Sequence, residues 1–430
     1  MHGPQAALTR LRRRAGFGME EPVFIPARGT MQPASRNVLL IGNYRPTLSA
    51  VRSLGRAGHR LVMGCERIGA FAERSRHVAE RWDHPELTDP DEFGPALLAF
   101  LESRPDIDAL FPVSGLAIMR VCEVFERLPP RLAVAMPHPR LVELCDHKTK
   151  LLDVAESLGI PYPPYALVDD MPALKAAAVR LGTPLVVKAA FAERRLGGEK
   201  ALILRDEAAF ARALPDWPGI GTLLVQRYAE GPRHNLHFVA KDGRLLRCLD
   251  SISLRTQRPN GSGLTVESVC VRTPPHLRAW CARMIGRMGY TGIGCLQFLV
   301  DPKDGAAAFL EINPRMAAGY GIAQHGGLDM PRLALDLATG VPVAERPDDE
   351  DGYRIGDRYA WTEGDIAGLK LALKRGEVGP FAALAWAGRI LKSAFRADAH
   401  ASWRRDDPRP TLAILARSLG LAGRTPPAAE

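Results

Sequence analysis

One short run of this sequence gathers residue types that can hold a metal ion and grip a phosphate. Phe309-Leu310-Glu311-Ile312-Asn313-Pro314-Arg315 carries a carboxylate and an amide two residues apart, then a proline, then an arginine. As a strand, its period of two sets Glu311 and Asn313 on one face and Leu310 and Ile312 on the other. Cys295-Leu296-Gln297-Phe298-Leu299-Val300 reads as a preceding strand, and Asp301-Pro302-Lys303-Asp304-Gly305 is a turn by composition. A hairpin centred near Asp304 puts Gln297 opposite Glu311. Three oxygen-bearing side chains, Gln297, Glu311 and Asn313, then converge on one patch. Such a patch suits Mg²⁺ (or Mn²⁺), which prefers oxygen and shares a few protein ligands with substrate phosphates. Arg315 keeps its charge and can grip a phosphate with two bonds.

Other residues could neutralise a polyphosphate. Lys148 precedes the Gly159-Ile160-Pro161 linker, and Lys188 ends the apolar run Leu185-Val186-Val187. A lysine ending a buried strand is costly without an anionic partner. The loop Phe191–Lys200 holds Arg194, Arg195, Gly197, Gly198 and Lys200, so it could close over phosphates. The strand Leu223-Leu224-Val225-Gln226-Arg227-Tyr228 leads to Glu230-Gly231. A strand breaking into a linker can offer backbone groups to the edge of a nucleobase.

These residues need a frame. Asn37–Gly42 is a buried parallel strand by its apolar run. A helix with Leu48, Val51, Leu54 and Ala57 inward follows, then a strand at Arg60–Met63 and another at Ala109–Val113: a βαβ start. Its first turn, Gly42-Asn43-Tyr44-Arg45-Pro46, lacks two glycines of the dinucleotide fingerprint, which discounts NAD. The turn can still meet a substrate at a helix N-terminus. A boundary falls near Asp146, followed by a helix at Lys150–Leu158 and the extended linker Ile160–Pro164. From there strands are expected at 184–189, 201–204, 222–228, 235–240, 244–251, 264–271, 294–300 and 307–312. Helices are expected at 171–181, 206–213, 274–288 and 329–338. Residues 364–396 read as helical and basic, with Phe381, Leu384, Gly388, Leu391 and Phe395 in a stripe beside Arg389 and Lys392. That stripe suits an anionic membrane or a partner; packing against its own protein is the commoner fate of such a helix.

Composition narrows the classes further. The 430 residues carry a formal charge of +9, mostly as scattered arginines without an aromatic-interleaved tract, so no nucleic acid partner is expected. Seven cysteines at 65, 122, 145, 248, 270, 281 and 295 include no C-x-x-C pair, which points to a reducing, cytoplasmic setting. No run of 18 apolar residues exists, so no transmembrane helix is expected. The first 35 residues, with Arg10, Arg12, Arg13 and Arg14, read as a disordered leader, and Met19 and Met31 are alternative starts.

Taken in order, Asp146-His147-Lys148, Gly159-Ile160-Pro161, Val186-Val187-Lys188, Val225-Gln226-Arg227-Tyr228, Gly231, Gln297 and Phe309–Arg315 resemble the ATP-grasp superfamily. The likeness is to its carbamoyl-phosphate-synthetase-like and carboxylate–amine ligase branch, over roughly residues 37–340. It implies a mixed α/β and α+β fold. A leader (1–35) precedes a Rossmann-like pre-ATP-grasp domain (36–145). A two-lobed ATP-grasp domain follows (146–342, lobes 146–230 and 231–342), then a basic, mainly helical extension (343–430). The resemblance further implies that Lys148 and Lys188 contact ATP phosphates, that Gln226, Arg227 and Tyr228 line the adenine pocket, and that Gln297, Glu311 and Asn313 hold the metal. Arg315 and Lys188 then stabilise the transferring phosphoryl group. Relatives place a glutamate where this chain has Arg227 and an acid for the ribose near Arg233, which leaves Glu230 as the substitute. Arg255, in the polar loop Arg255–Gly263, is the expected anchor for a substrate carboxylate.

The activity so implied is ligation of a small-molecule carboxylate to an amine or thiol, with release of ADP and phosphate. A bicarbonate-activating enzyme of the carbamoyl-phosphate type is the alternative within enzymes. A non-catalytic ATP-binding scaffold is the alternative outside them. Many relatives dimerise, so the resemblance leaves a homodimer open under either reading.

Overall fold

The computed structural model describes residues 35–66, 71–190, 196, 199, 201–206, 209, 221–346 and 352–418. The leader expected at 1–35 lies outside the described residues except for Ser35. So do Arg194, Arg195, Gly197, Gly198 and Lys200 of the cationic loop, and nearly all of the helix expected at 206–213.

Among the described residues the strands form three sheets. The first is parallel, in the order β3-β2-β1-β4-β5, from β1 (Asn37–Ile41), β2 (Arg60–Cys65), β3 (Val78–Asp83), β4 (Ala109–Pro112) and β5 (Ala133–Val134). Val38 and Leu40 enter one apolar cluster and Leu39 and Ile41 another. Both faces of β1 are therefore covered, which is why it reads as an unbroken apolar run. The chain builds outward from β1 to one side and then, from β4, to the other. The strand order thus reverses between β1 and β4, the place where open α/β sheets bind ligands. There Gly42, at φ +90°, packs so closely on Ser114 that a Cβ would lie 2.5 Å from its Oγ.

The second sheet runs β6-β9-β7-β8, antiparallel, from β6 (Tyr165–Val168), β7 (Leu185–Ala189), β8 (Leu202–Leu204) and β9 (Leu223–Arg227). Leu185, Val187 and Ala189 face a core shared with the helix Met171–Leu181. That helix starts where Asp170 accepts a hydrogen bond from Ala173 N, an N-cap. Val186 and Lys188, on the alternate face, are left for the cavity described below.

The third sheet has seven strands in the order β14-β13-β10-β11-β12-β15-β16: β10 (Arg233–Lys241), β11 (Arg244–Thr256), β12 (Thr265–Val271), β13 (Gly292–Val300), β14 (Ala307–Asn313), β15 (Arg358–Ala360) and β16 (Ala399–His400). One face, with Leu236, Phe238, Leu296 and Phe298, packs on the helices Lys148–Ser157 and Pro275–Met288. The last two strands come from the stretch after residue 342, which otherwise forms the helices Thr362–Lys374, Pro380–Arg396 and Arg409–Ser418. The buried pair Arg52–Asp407, 2.9 Å, ties that stretch back to the first helix, Arg45–Arg56. No helix among the described residues is long and apolar enough to cross a membrane. All seven cysteines are free, and six are buried.

The hairpin β13–β14 has the register expected from its turn, with Gln297 opposite Glu311. One detail departs from the simple alternation. Phe298 pairs with Phe309, so Leu310 is an extra residue in a bulge. Phe309 and Ile312 are the side chains buried in the core. Leu310, expected on the side of Ile312, instead lines the cavity with Glu311 and Asn313.

Candidate active site

A cavity of about 970 Å³ opens where the three sheets meet. Its wall takes Tyr44, Arg45 and Gly115 from the switch point of the first sheet. It takes Lys188 and Gln226 from the second, and Arg233, Asn235, His237, Gln297, Glu311 and Asn313 from the third. Trp361, Glu363, Ser402 and Arg417 of the C-terminal stretch close its far side.

At the near end, two side-chain amides are oriented by their neighbours. Asn313 Nδ2 donates to Glu311 Oε1 at 2.9 Å, and Gln297 Nε2 donates to Asn235 Oδ1 at 3.0 Å. Each amide nitrogen is thereby committed, and its carbonyl oxygen is left to face a cation. Asn235 is itself fixed, donating to Ser251 O and Ser253 Oγ, both at 3.1 Å. The set holds one carboxylate and two amides. That donor set fits Mg²⁺ that shares its shell with phosphate oxygens and fits a fully protein-bound ion poorly. Among the described residues no cluster of three or more His, Cys, Asp and Glu offers an alternative metal site.

Cations surround this patch. Lys188 Nζ donates to the buried Gln226 Oε1 at 3.2 Å. Burial pushes the Lys188 ammonium below its ordinary range, with Glu311 opposing and Arg233 reinforcing the shift. Arg233 is likewise lowered by burial, with Glu311 opposing. Its Nη2 donates to Thr265 at 2.9 Å, while its buried Nε has no partner among the described residues. Lys148 is the first residue of the helix Lys148–Ser157 and donates to Ala189 O at 3.0 Å. A cation at that position opposes the helix dipole, and an anion beside it would offset the cost. The whole wall carries eight cations (Arg45, Lys148, Lys188, Arg227, Arg233, Arg258, Arg315, Arg417) against four carboxylates (Asp146, Glu199, Glu311, Glu363). A polyanion is the ligand that such an excess suits.

The family model described as "ATP-grasp in the biosynthetic pathway with Ter operon" matches residues 220–358, the stretch that holds this hairpin and the polar face of β10 to β12. Over that stretch the chain is similar to ATP-grasp proteins. The carbamoyl phosphate synthase large chain of Thermotoga sp. (strain RQ2) is 25% identical over 373 residues, 80% of this chain and 33% of that one. The corresponding protein of Clavibacter michiganensis is 28% identical over 181 residues, 39% of this chain and 16% of that one. The chain thus spans a third or less of the length of these relatives. Among solved structures, the biotin carboxylase domain dimer of the Hydrogenobacter thermophilus 2-oxoglutarate carboxylase, with MgADP, ADP and bicarbonate, superposes with a TM-score of 0.59. It is 19% identical and covers 75% of this chain and 73% of that one. The biotin carboxylase of Campylobacter jejuni gives 0.57 at 18% identity, covering 75% and 74%.

In this chain the cavity brings together Lys148, Lys188, Gln226, Arg227, Tyr228, Gln297, Glu311, Asn313 and Arg315. It does not collect two other residues singled out from the sequence. Glu230 points away, its carboxylate 3.3 Å from the exposed Lys303 Nζ. Arg255, expected to anchor a substrate, is committed elsewhere: its Nε lies 2.8 Å from Glu267 and its Nη2 2.5 Å from Asp365, outside the cavity lining. Arg227 lines the cavity but sends its Nε to Leu181 O at 2.9 Å.

Several wall residues were not evident beforehand. Asn235, His237, Ser251 and Ser268 form a polar band on the cavity face of β10, β11 and β12. Their signal was polar residues at alternate positions in apolar strands. Burial drops the His237 imidazole to about 3, so it stays neutral. Its Nδ1 and the Ser268 hydroxyl are buried without partners among the described residues. Arg233, which the resemblance read from the sequence treats only as a departure, is coupled electrostatically to Glu311.

Proposed function

We propose that this protein is an ATP-dependent ligase that activates a small-molecule carboxylate as its acyl phosphate and joins it to an amine or thiol, releasing ADP and phosphate. The observation that carries this reading is the juxtaposition of Glu311, Asn313 and Gln297 with Lys148, Lys188, Arg233 and Arg315 on one cavity wall. A carboxylate resists attack because its leaving group is poor. Transfer of a phosphoryl group onto it supplies a good one. That transfer needs little covalent chemistry from the protein and much positioning of charge.

In this reading Glu311, Asn313 and Gln297 would hold Mg²⁺, which would supply positive charge against the phosphates. Lys148 and Lys188 neutralise the phosphates, and Arg315 grips the group in transit. Val186, Ile203, Leu299 and the bulged Leu310 give the nucleobase an apolar slot beside Gln226–Ala229. The acceptor occupies the far part of the cavity. There the N-terminus of helix Arg45–Arg56 and the Arg45 guanidinium, stacked 3.4 Å over Trp361, face the open groups of His237 and Ser268. A helix N-terminus with an arginine at its first position suits an anionic group on the substrate. A space this large favours an organic carboxylate over bicarbonate.

The test is phosphate release from MgATP across a panel of amino acids and other carboxylates paired with amines and thiols. One pair should stimulate release, and Glu311→Gln should lower that rate by about 10³-fold. Full activity in Glu311→Gln would remove the metal assignment. Silence with every carboxylate, despite tight ATP binding, would favour a nucleotide-binding scaffold.

A further inference from the structure

The helix Pro380–Arg396 presents three distinct faces. Trp386, Ile390 and Ser393 are buried, and Trp386 Nε1 donates to the buried Asp365 at 2.6 Å. At about 100° per residue these three fall within an arc of roughly 60°. Phe381, Leu384, Gly388, Leu391 and Phe395 fall within another arc of roughly 80°, on the outward side. Phe381 is 90% exposed, Phe395 89%, Leu384 73% and Leu391 62%. Single exposed apolar residues are ordinary, but a continuous stripe with two bare phenylalanines is not. Packing against its own protein is the commoner fate of such a stripe, but here the fold uses the Trp386, Ile390 and Ser393 face for that purpose.

The third face decides what covers the stripe. Arg389, Lys392 and Arg396 lie side by side along one flank of it, all exposed, and the helix contains no acidic residue. A second copy of the helix would gather six cations around one apolar seam with no carboxylate from either helix. A lipid surface with anionic headgroups offers the opposite charge and an apolar layer beneath it. A helix of this length, about 25 Å, lies in such an interface with its apolar face in the acyl boundary and its cations among the headgroups. We propose that the helix Pro380–Arg396 docks the protein onto an anionic lipid surface.

The full chain should float with vesicles of phosphatidylcholine mixed with phosphatidylglycerol and stay in solution with phosphatidylcholine alone. Binding should weaken as salt is raised. Phe381→Asp with Phe395→Asp should abolish binding. Arg389→Gln with Lys392→Gln and Arg396→Gln should weaken it on the order of a hundredfold, from three headgroup contacts. Because the altered side chains are exposed, both variants should keep the parent melting temperature and the parent rate of ATP-dependent phosphate release without vesicles. Both retain the arginines at 10 and 12–14, so binding that survives in both would assign attachment elsewhere and overturn the proposal. So would failure of the parent chain to bind anionic vesicles. A dimer that the phenylalanine variant dissociates, with no vesicle binding by the parent, would identify the occupant as a second copy.

Discussion

Asn235→Leu tests whether the proposed metal patch depends on a hydrogen-bond relay rather than on Gln297, Glu311 and Asn313 alone. Asn235 and Gln297 are both buried, and one 3.0 Å bond sets which end of the Gln297 amide faces the cavity. Leucine fills a similar volume but cannot accept that bond. Leaving the buried Gln297 Nε2 without its acceptor costs about 1–3 kcal/mol, and the lost donation to Ser251 O adds about 1 kcal/mol more. The protein should therefore melt several degrees lower and remain folded. The functional cost is separate. A released amide can rotate and turn Nε2, a donor, toward the cation. Loss of such an orienting partner weakens metal affinity about 10- to 100-fold. In a Mg²⁺ titration of ATP-dependent phosphate release, half-saturation should rise by that factor, with the maximal rate largely recovered at high Mg²⁺. Asn235→Asp keeps an acceptor for Gln297 and should stay near the parent value. An Asn235→Leu protein that is less stable but unchanged in its Mg²⁺ dependence would refute the relay.

Three further outcomes follow from the geometry. Lys188→Met should raise the melting temperature of the ligand-free protein while removing ATP affinity measured by calorimetry. The sign follows from linkage. The folded state holds the Lys188 proton less tightly than the unfolded chain, so parent stability rises with pH between the lowered value and 10.5, and the variant lacks that rise. Arg255→Ala should leave the Michaelis constant of the carboxylate substrate unmoved yet cost about 3 kcal/mol in denaturant unfolding, because it leaves the buried Asp365 carboxylate with the Trp386 hydrogen bond but without its cation. Gly231→Ala should cost about 3 kcal/mol or more and weaken ATP binding: at φ +109° a side chain is strained, and a Cβ there would lie 2.1 Å from Val300 O.

What the sequence made legible was local. The pairing of Gln297 with Glu311 needed only two neighbouring strands and a turn of known chemistry, and the observed register agrees. The bulge at Leu310 was hidden because an extra residue changes facing without changing residue types. Lys148 and Lys188 carried a signal because a cation at a helix start or a buried strand end is costly by itself. Asn235, His237 and Ser268 carried almost none, since a polar residue on a strand is as often a solvated face as a cavity wall. Arg45 and Trp361 stack although they are far apart in the chain, and no periodicity reports such a meeting. Arg255 went the other way: its loop suggested a substrate contact, but Glu267 and Asp365, the latter far along the chain, had already claimed it.

The order of strands in the third sheet also sets a length. Glu311 sits on β14 and Ser268 on β12, with β13, β10 and β11 between them. Four strand-to-strand steps of about 4.8 Å make a span of about 19 Å from the Glu311 end of the cavity to the Ser268 hydroxyl. The sheet is in effect a ruler laid under the substrate, graduated by one polar side chain or pair per strand. A molecule that reaches both ends at once must be extended, about the length of a six-residue strand. On the proposed reading the nucleotide and the carboxylate share that span, so the length that the phosphates leave free would bound the carboxylate the site takes.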